Sequence, residues 1–212
     1  MQEKSPGEPA DGRMAACWSC QTSLSAKALF CHGCGSIQAP RALDHFSRLG
    51  LRARFDLDLG ELDRQYFGFQ RRFHPDRFAT RSSEERAMSL RHATALNQAY
   101  EVLRSTVSRA NYLLELAGRQ GTDREHLTTE DPTLLTEAME LREALIESED
   151  GAVVDRLIDD VRKRIANCAA ALTSAFSADL LDEAAALTLR LTYLEKVLGE
   201  ARQRRHLLAG RS

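Results

Sequence analysis

Apolar residues that return every three or four positions dominate this sequence, and a single proline cuts the pattern at a decisive place. Leu62, Tyr66, Phe69 and Phe73 follow one another at spacings of four, three and four. Beyond a polar gap, Met88, His92, Leu96, Ala99, Tyr100 and Leu103 take up the same rhythm. That period gathers side chains on one face of a helix. Between the two stripes stand His74, Pro75 and Asp76. Proline has no amide proton and pushes the residue before it out of helical geometry, so the first helix must end there. Two helices of similar length joined by a polar loop pack as an antiparallel hairpin, with the loop at its exposed tip.

Local signals place the other elements. Asp58 with Glu61, and Ser82 with Glu85, have the spacing of capping boxes and predict the two hairpin N-termini. Gly68 weakens the first of these helices by roughly 1 kcal/mol relative to alanine. Ahead of it, Asp44 to Leu51 reads as one or two helical turns stopped by Gly50, with Phe46 and Leu49 on one face. Tyr112 to Leu116 forms a short apolar cluster, followed by a polar linker with Gly118 and Gly121.

Asp131-Pro132 then supplies an N-cap and a first-turn proline. Leu134, Leu135, Ala138, Met139, Leu141, Leu145 and Ile146 make an apolar surface wide enough to have two sides. A second helix is marked by Val154, Leu157, Ile158, Val161, Ile165, Cys168 and Leu172, and a third by Leu180, Ala184, Leu187, Leu191, Leu194, Leu198 and Ala201. Short connections predict an antiparallel three-helix bundle, with Cys168 as a small buried residue. The expected fold class is all-α.

The first forty residues follow another logic. Met1 to Arg13 is polar, with two prolines and two glycines, and reads as a disordered tail. Cys17 and Cys20 form one Cys-x-x-Cys pair, and Cys31 and Cys34 form another ten residues later. Two such pairs can aim four thiolates at one tetrahedral ion, with Gly33 and Gly35 supplying the unusual dihedrals of the turns. Zinc bound by four thiolates is structural, because no coordination position stays open. A redox-active thiol pair, two disulfides or an iron–sulfur cluster are the competing readings of the same cysteines. His32 reads as a solvated loop residue and Trp18 as a cover for the metal knuckle.

Charge and composition narrow the function classes. The formal net charge is −2, which does not recruit nucleic acid or an anionic membrane through bulk attraction. The cysteine segment carries few basic residues besides Arg13, Lys27 and Arg41, which disfavours a nucleic-acid-binding zinc module. No apolar run has the length of a membrane span, and a soluble, reducing, cytoplasmic setting is expected. The carboxylate pairs Glu84-Glu85, Asp159-Asp160 and Asp182-Glu183 all fall in helices where solvated faces are expected. No phosphate-cradling glycine motif or nucleophile elbow occurs, so the chain does not read as an enzyme.

A His-Pro-Asp tripeptide alone is a weak motif. Here it closes a two-helix hairpin, follows a helix with Arg64, Arg71 and Arg72 off its apolar stripe, and precedes Arg77. A capped helix ending in Asn97-Gln98-Ala99-Tyr100-Glu101-Val102-Leu103 comes next. Over roughly residues 41–106 this constellation resembles the J-domain of DnaJ-type co-chaperones. Asp44-His45-Phe46 resembles that family's Asp-Tyr-Phe opening, with His for the usual Tyr, and Arg77 stands where Lys is commoner. The resemblance implies that His74, Pro75, Asp76, Arg64, Arg71, Arg72 and Arg77 contact the ATPase and linker region of a DnaK-type chaperone. The plainer reading of the arginines is a solvated face.

Past the hairpin, Arg109-Ala110-Asn111-Tyr112-Leu113-Leu114 leads into the bundle with Met139-Glu140-Leu141-Arg142-Glu143. That order is similar to the HscB family, J-type co-chaperones of iron–sulfur cluster biogenesis, over about residues 41–208. The four-cysteine module is similar to that of animal-type members. The resemblance implies stimulation of a DnaK/HscA-type ATPase and delivery to it of an IscU-type scaffold. It places that scaffold on Leu135, Thr136, Met139, Glu140, Glu143 and Tyr193. Thr136 departs from the family's usual Met and Tyr193 from its Phe, and the alternative reading of Leu135, Met139 and Tyr193 is bundle core. The expected division is a tail (1–13), a zinc module (14–40), a J-domain (41–106), a short helix and linker (107–130) and a client-binding bundle (131–208). Weak self-association is compatible with it. The competing function is a zinc-dependent interaction or dimerisation protein in which the hairpin is only scaffold.

Overall fold

The computed structural model describes residues 14–25, 28–119 and 132–210. The expected N-terminal tail, most of the linker before the bundle and the Asp131 cap lie outside them. Two three-residue strands, β1 (Met14–Ala16) and β2 (Ser23–Ser25), pair antiparallel with Ala15 opposite Leu24. The rest is helical: α1 (His45–Arg48), α2 (Leu59–Phe73), α3 (Ser83–Arg104), α4 (Thr106–Leu116), α5 (Pro132–Glu147), α6 (Gly151–Ser177) and α7 (Leu181–Ala209). Among the described residues the chain is all-α apart from the small ribbon.

In the hairpin, α1, α2 and α3 bury Phe46, Leu49, Leu62, Phe73, Leu96 and Leu103 together. Ser82 Oγ accepts from the Glu85 N–H at 3.2 Å, as its capping box requires. Asp58 caps one residue earlier than its box predicts, accepting from the Gly60 N–H at 2.8 Å. A polar seam fixes the register of α2 on α3. Tyr66 and Tyr100 stack at 4.0 Å, Tyr66 donates to Asn97 Oδ1 at 2.9 Å, and Tyr100 donates to Asp63 Oδ1 at 2.8 Å.

The four-cysteine unit is docked on this hairpin. Ile37 is wholly buried in the hairpin's core, with Leu29 and Phe30 packed against it. Phe73 stacks with Phe30 at 5.4 Å and with His92 at 4.2 Å. His92 Nε2 donates to Gln38 O at 2.9 Å, and Trp18 Nε1 donates to Ile37 O at 2.7 Å. A knuckle of this size has only a small core of its own, Leu24 with Cys17 and Cys31, and lays its larger apolar residues on its neighbour.

The bundle core is built by Leu141, Leu145, Val154, Ile158, Val161, Leu172, Leu191 and Leu194. Cys168 is buried, as its place on the stripe predicts. Beyond the three long helices expected, α4 contributes Ala110 and Leu114, and the loop between α1 and α2 contributes Phe55. The buried Arg109 ties these parts together, with Nε donating to Phe55 O at 2.8 Å and Nη1 donating to Leu103 O. Buried guanidinium groups need such acceptors, and here backbone carbonyls supply them. On α5, Glu137 accepts from Arg164 of α6 at 2.6 Å and lies 2.8 Å from Arg190 of α7.

Candidate functional sites

The two Cys-x-x-Cys turns are near copies. Cys17 O accepts from Gln21 N at 3.0 Å, and Cys31 O accepts from Gly35 N at 2.9 Å. The Ser19 N–H points at Cys17 Sγ at 3.4 Å, and the Gly33 N–H points at Cys31 Sγ at 3.3 Å. Equivalent residues after the fourth position take the left-handed conformation, Gln21 at φ 62° and Gly35 at φ 75°. Gly33 is not in that region, contrary to the expectation for it. What it supplies is room, because a Cβ there would lie 2.9 Å from Thr22 Oγ1.

All four sulfurs lie within 4.8 Å of one another, with Cys17–Cys34 at 3.7 Å and Cys20–Cys31 at 3.6 Å. A tetrahedron with metal–sulfur bonds of about 2.3 Å has edges of about 3.8 Å, so these separations suit one ion. They are far from the ~2.05 Å of a disulfide, and all four cysteines are free thiols. The hydroxyl of Ser36, 3.2 Å away, is the main cause that brings the Cys34 thiol down to about 6. Burial alone would raise Cys17, but the backbone N–H groups of Cys20 and Ser19 outweigh it and hold the thiol below its ordinary value. At Cys31 the backbone N–H of Cys34 lowers the thiol, but burial and the neighbouring Cys20 and Cys17 sulfurs outweigh it and hold the thiol above its ordinary value. Thiolates are the ligating species, so the surroundings of Cys17 and Cys34 are the ones that favour metal capture. The donor set can hold a metal ion.

At the hairpin tip, α2 ends at Phe73, and Pro75–Phe78 form one 3-10 turn. His74 Nδ1 accepts from the Asp76 N–H at 3.3 Å, which caps that turn. Phe78 is buried and anchors the loop, leaving His74, Pro75, Asp76 and Arg77 exposed. Asp76 keeps most of its carboxylate free in water, 3.6 Å from His74 Nδ1. Arg77 Nη1 donates to Arg71 O at 3.1 Å, linking the tip to the exposed arginines of α2. Arg64, Arg71 and Arg72 lie at the surface there, as expected. Phe67, half exposed between Arg64 and Arg71, gives no signal in the sequence because it is off the apolar stripe.

The two sides of α5 separate cleanly. Leu134, Ala138, Leu141 and Leu145 are buried, whereas Leu135 is 37% exposed, Met139 68% and Ile146 74%. Thr136, Glu140 and Glu143 are at the surface of the same helix. Leu135 and Met139 are therefore surface residues and not bundle core. Tyr193 on α7 is half-buried, with Lys196 Nζ 5.9 Å from its ring centre.

The family model described as HSCB C-terminal oligomerisation domain matches residues 130–202. The iron-sulfur cluster co-chaperone protein HscB homolog of Arabidopsis thaliana is 33% identical over 187 residues, covering 88% of this chain and 73% of the plant protein. The chain belongs to the HscB family of co-chaperones. A second HscB homolog, from Aliivibrio salmonicida, is 33% identical over 174 residues and is matched along its whole length, over 79% of this chain. Among solved structures, human co-chaperone protein HscB superposes with a TM-score of 0.83 at 30% identity, over 90% of this chain and 98% of the human one. This HscB-family chain thus falls among co-chaperones of iron–sulfur cluster biogenesis, as the order of its motifs implied.

Proposed function

We propose that this chain stimulates ATP hydrolysis by a DnaK/HscA-type chaperone and delivers an IscU-type iron–sulfur scaffold to it. The observation that carries the reading is the His74-Pro75-Asp76 turn, held rigid by Phe78 and the His74 cap, yet exposed on a member of this family. Pro75 fixes the backbone, and Asp76 offers an unburied carboxylate able to pair with an arginine of the chaperone. Arg64, Arg71, Arg72 and Arg77 steer an acidic surface of that partner toward the turn. The chemistry is the chaperone's, and this chain biases its conformational equilibrium.

In this reading the scaffold sits on α5, with Leu135 and Met139 as apolar anchors and Thr136, Glu140 and Glu143 around them, and Tyr193 beside it. Zinc held by Cys17, Cys20, Cys31 and Cys34 is structural and supplies folding energy to the knuckle. The working division keeps residues 14–40 as the metal module, 41–106 as the J-domain and 131–208 as the client-binding unit, with 107–130 connecting them. Chaperone ATPase measured with and without an IscU-type scaffold tests the delivery step. Leu135→Ala with Met139→Ala should remove the increment due to scaffold and leave basal stimulation intact. An unchanged increment would refute the client face.

A further inference from the structure

The docked knuckle and the hairpin tip enclose a cleft that neither unit forms alone. Its volume is about 240 Å³, and it is lined by Phe30 and Gly35 from the knuckle and by Arg72, Arg77, Phe78 and Arg81 from the hairpin. Glu85 is the one acidic residue at its edge. Among the described residues, no carboxylate comes within ion-pairing distance of Arg72, Arg77 or Arg81. Arg72 lies 5.2 Å over the ring of Phe30, and Arg77 leans on Arg71 O, so two of the three guanidinium groups are held in place with donors to spare. Gly35 leaves open space where a Cβ would stand. Three arginines without an acidic partner, beside a flat aromatic wall, fit a carboxylate-bearing segment, because guanidinium forks bind carboxylates bidentately.

We infer that this cleft seats an acidic segment of the DnaK-type chaperone, and that the four-cysteine module is one wall of the docking surface. The inference rests on the chaperone reading above and extends it. Arg77 is at once the residue after the His-Pro-Asp turn and a lining residue, so a partner seated on the turn reaches the cleft without a gap. The module thereby acquires a task. Thiol ligation would close the Cys31–Gly35 turn, which follows Phe30 beneath Arg72 and places Gly35 in the cleft wall, so that the cleft opens when the knuckle does.

The test is equilibrium binding of the full-length chain to a purified DnaK-type chaperone in its ATP state, at several salt concentrations. Arg72→Gln with Arg81→Gln should weaken binding about tenfold or more and flatten its salt dependence. Opening the knuckle with Cys20→Ser and Cys34→Ser should weaken binding by a similar factor with helical circular dichroism retained. Combining both pairs should add little further, since the two changes dismantle one site. Fully multiplicative losses would overturn the shared-wall claim. Asp76→Asn reports separately on the parent reading. If it abolishes stimulation while the arginine pair leaves affinity unchanged, the cleft falls together with Arg72's part in the steering, and the reading of the turn stands. If Asp76→Asn leaves stimulation intact, both fall.

Discussion

Arginines are used in opposite ways at the two ends of this molecule. In the bundle most of them are paired internally. Arg142 grips Glu200 with two bonds of 2.9 Å, Arg164 and Arg190 share Glu137, and Arg205 holds Asp155 at 2.9 Å. At the hairpin, Arg64 lies 3.8 Å from a solvated Asp58, and among the described residues Arg71, Arg72, Arg77 and Arg81 have no carboxylate within pairing distance. Charge that satisfies the fold has no surplus for a partner. Unpaired charge on a rigid element contributes little to stability and keeps its full interaction for something else. The apolar residues of α5 make the same point within one helix, one side being buried and the other open.

Charge reversal at the hairpin should have the largest effect. Arg64→Glu with Arg71→Glu should lower chaperone affinity more than tenfold while shifting stability by no more than about 0.5 kcal/mol. Surface plasmon resonance and a thermal melt on the same preparation check both halves. In the bundle the expected pattern inverts. Glu137→Ala removes the common acceptor of Arg164 and Arg190 and should destabilise by about 1 kcal/mol, with chaperone affinity unaltered. A denaturant titration in which that variant matches wild type would show that the network is ornamental.

A smaller effect separates the hairpin's interior from its tip. His92 is buried against Phe73, and burial outweighs its bond to Gln38 O to lower its pKa from the ordinary value. Its folded form binds a proton less readily than its unfolded form. Stability is therefore complete above about pH 6.5, the unfolded value, and declines as pH falls through and below it toward the lowered folded value. Melting temperatures from pH 7.5 to 5 should fall, and His92→Gln should flatten the lower part of that curve.

Periodicity made the helices legible, because spacings of three and four bring apolar side chains onto one face in a helix and scatter them over both faces of a strand. The stop at Pro75, the cap at Ser82 and the two sides of α5 all followed from single residues whose chemistry admits little choice. The four cysteines were legible for the same reason. What escaped was contact between units. Phe30 and Ile37 lie in a knuckle with no period, so nothing in their spacing says that they complete the core around Phe73. Ala110 and Leu114 belong to a helix too short to announce a partner, and Glu137 is one acid among many on α5. Arg81 and Gly35 are far apart in the chain, and no local pattern sets them across one cleft.

In this reading the exposed turn acts on another protein and not on its own fold. Single-turnover ATP hydrolysis by a DnaK/HscA-type chaperone, with wild-type chain and with Asp76→Asn at equal concentration, tests it directly. The variant should melt at the wild-type temperature and return the chaperone to its unstimulated rate. Stimulation that survives the substitution would contradict it.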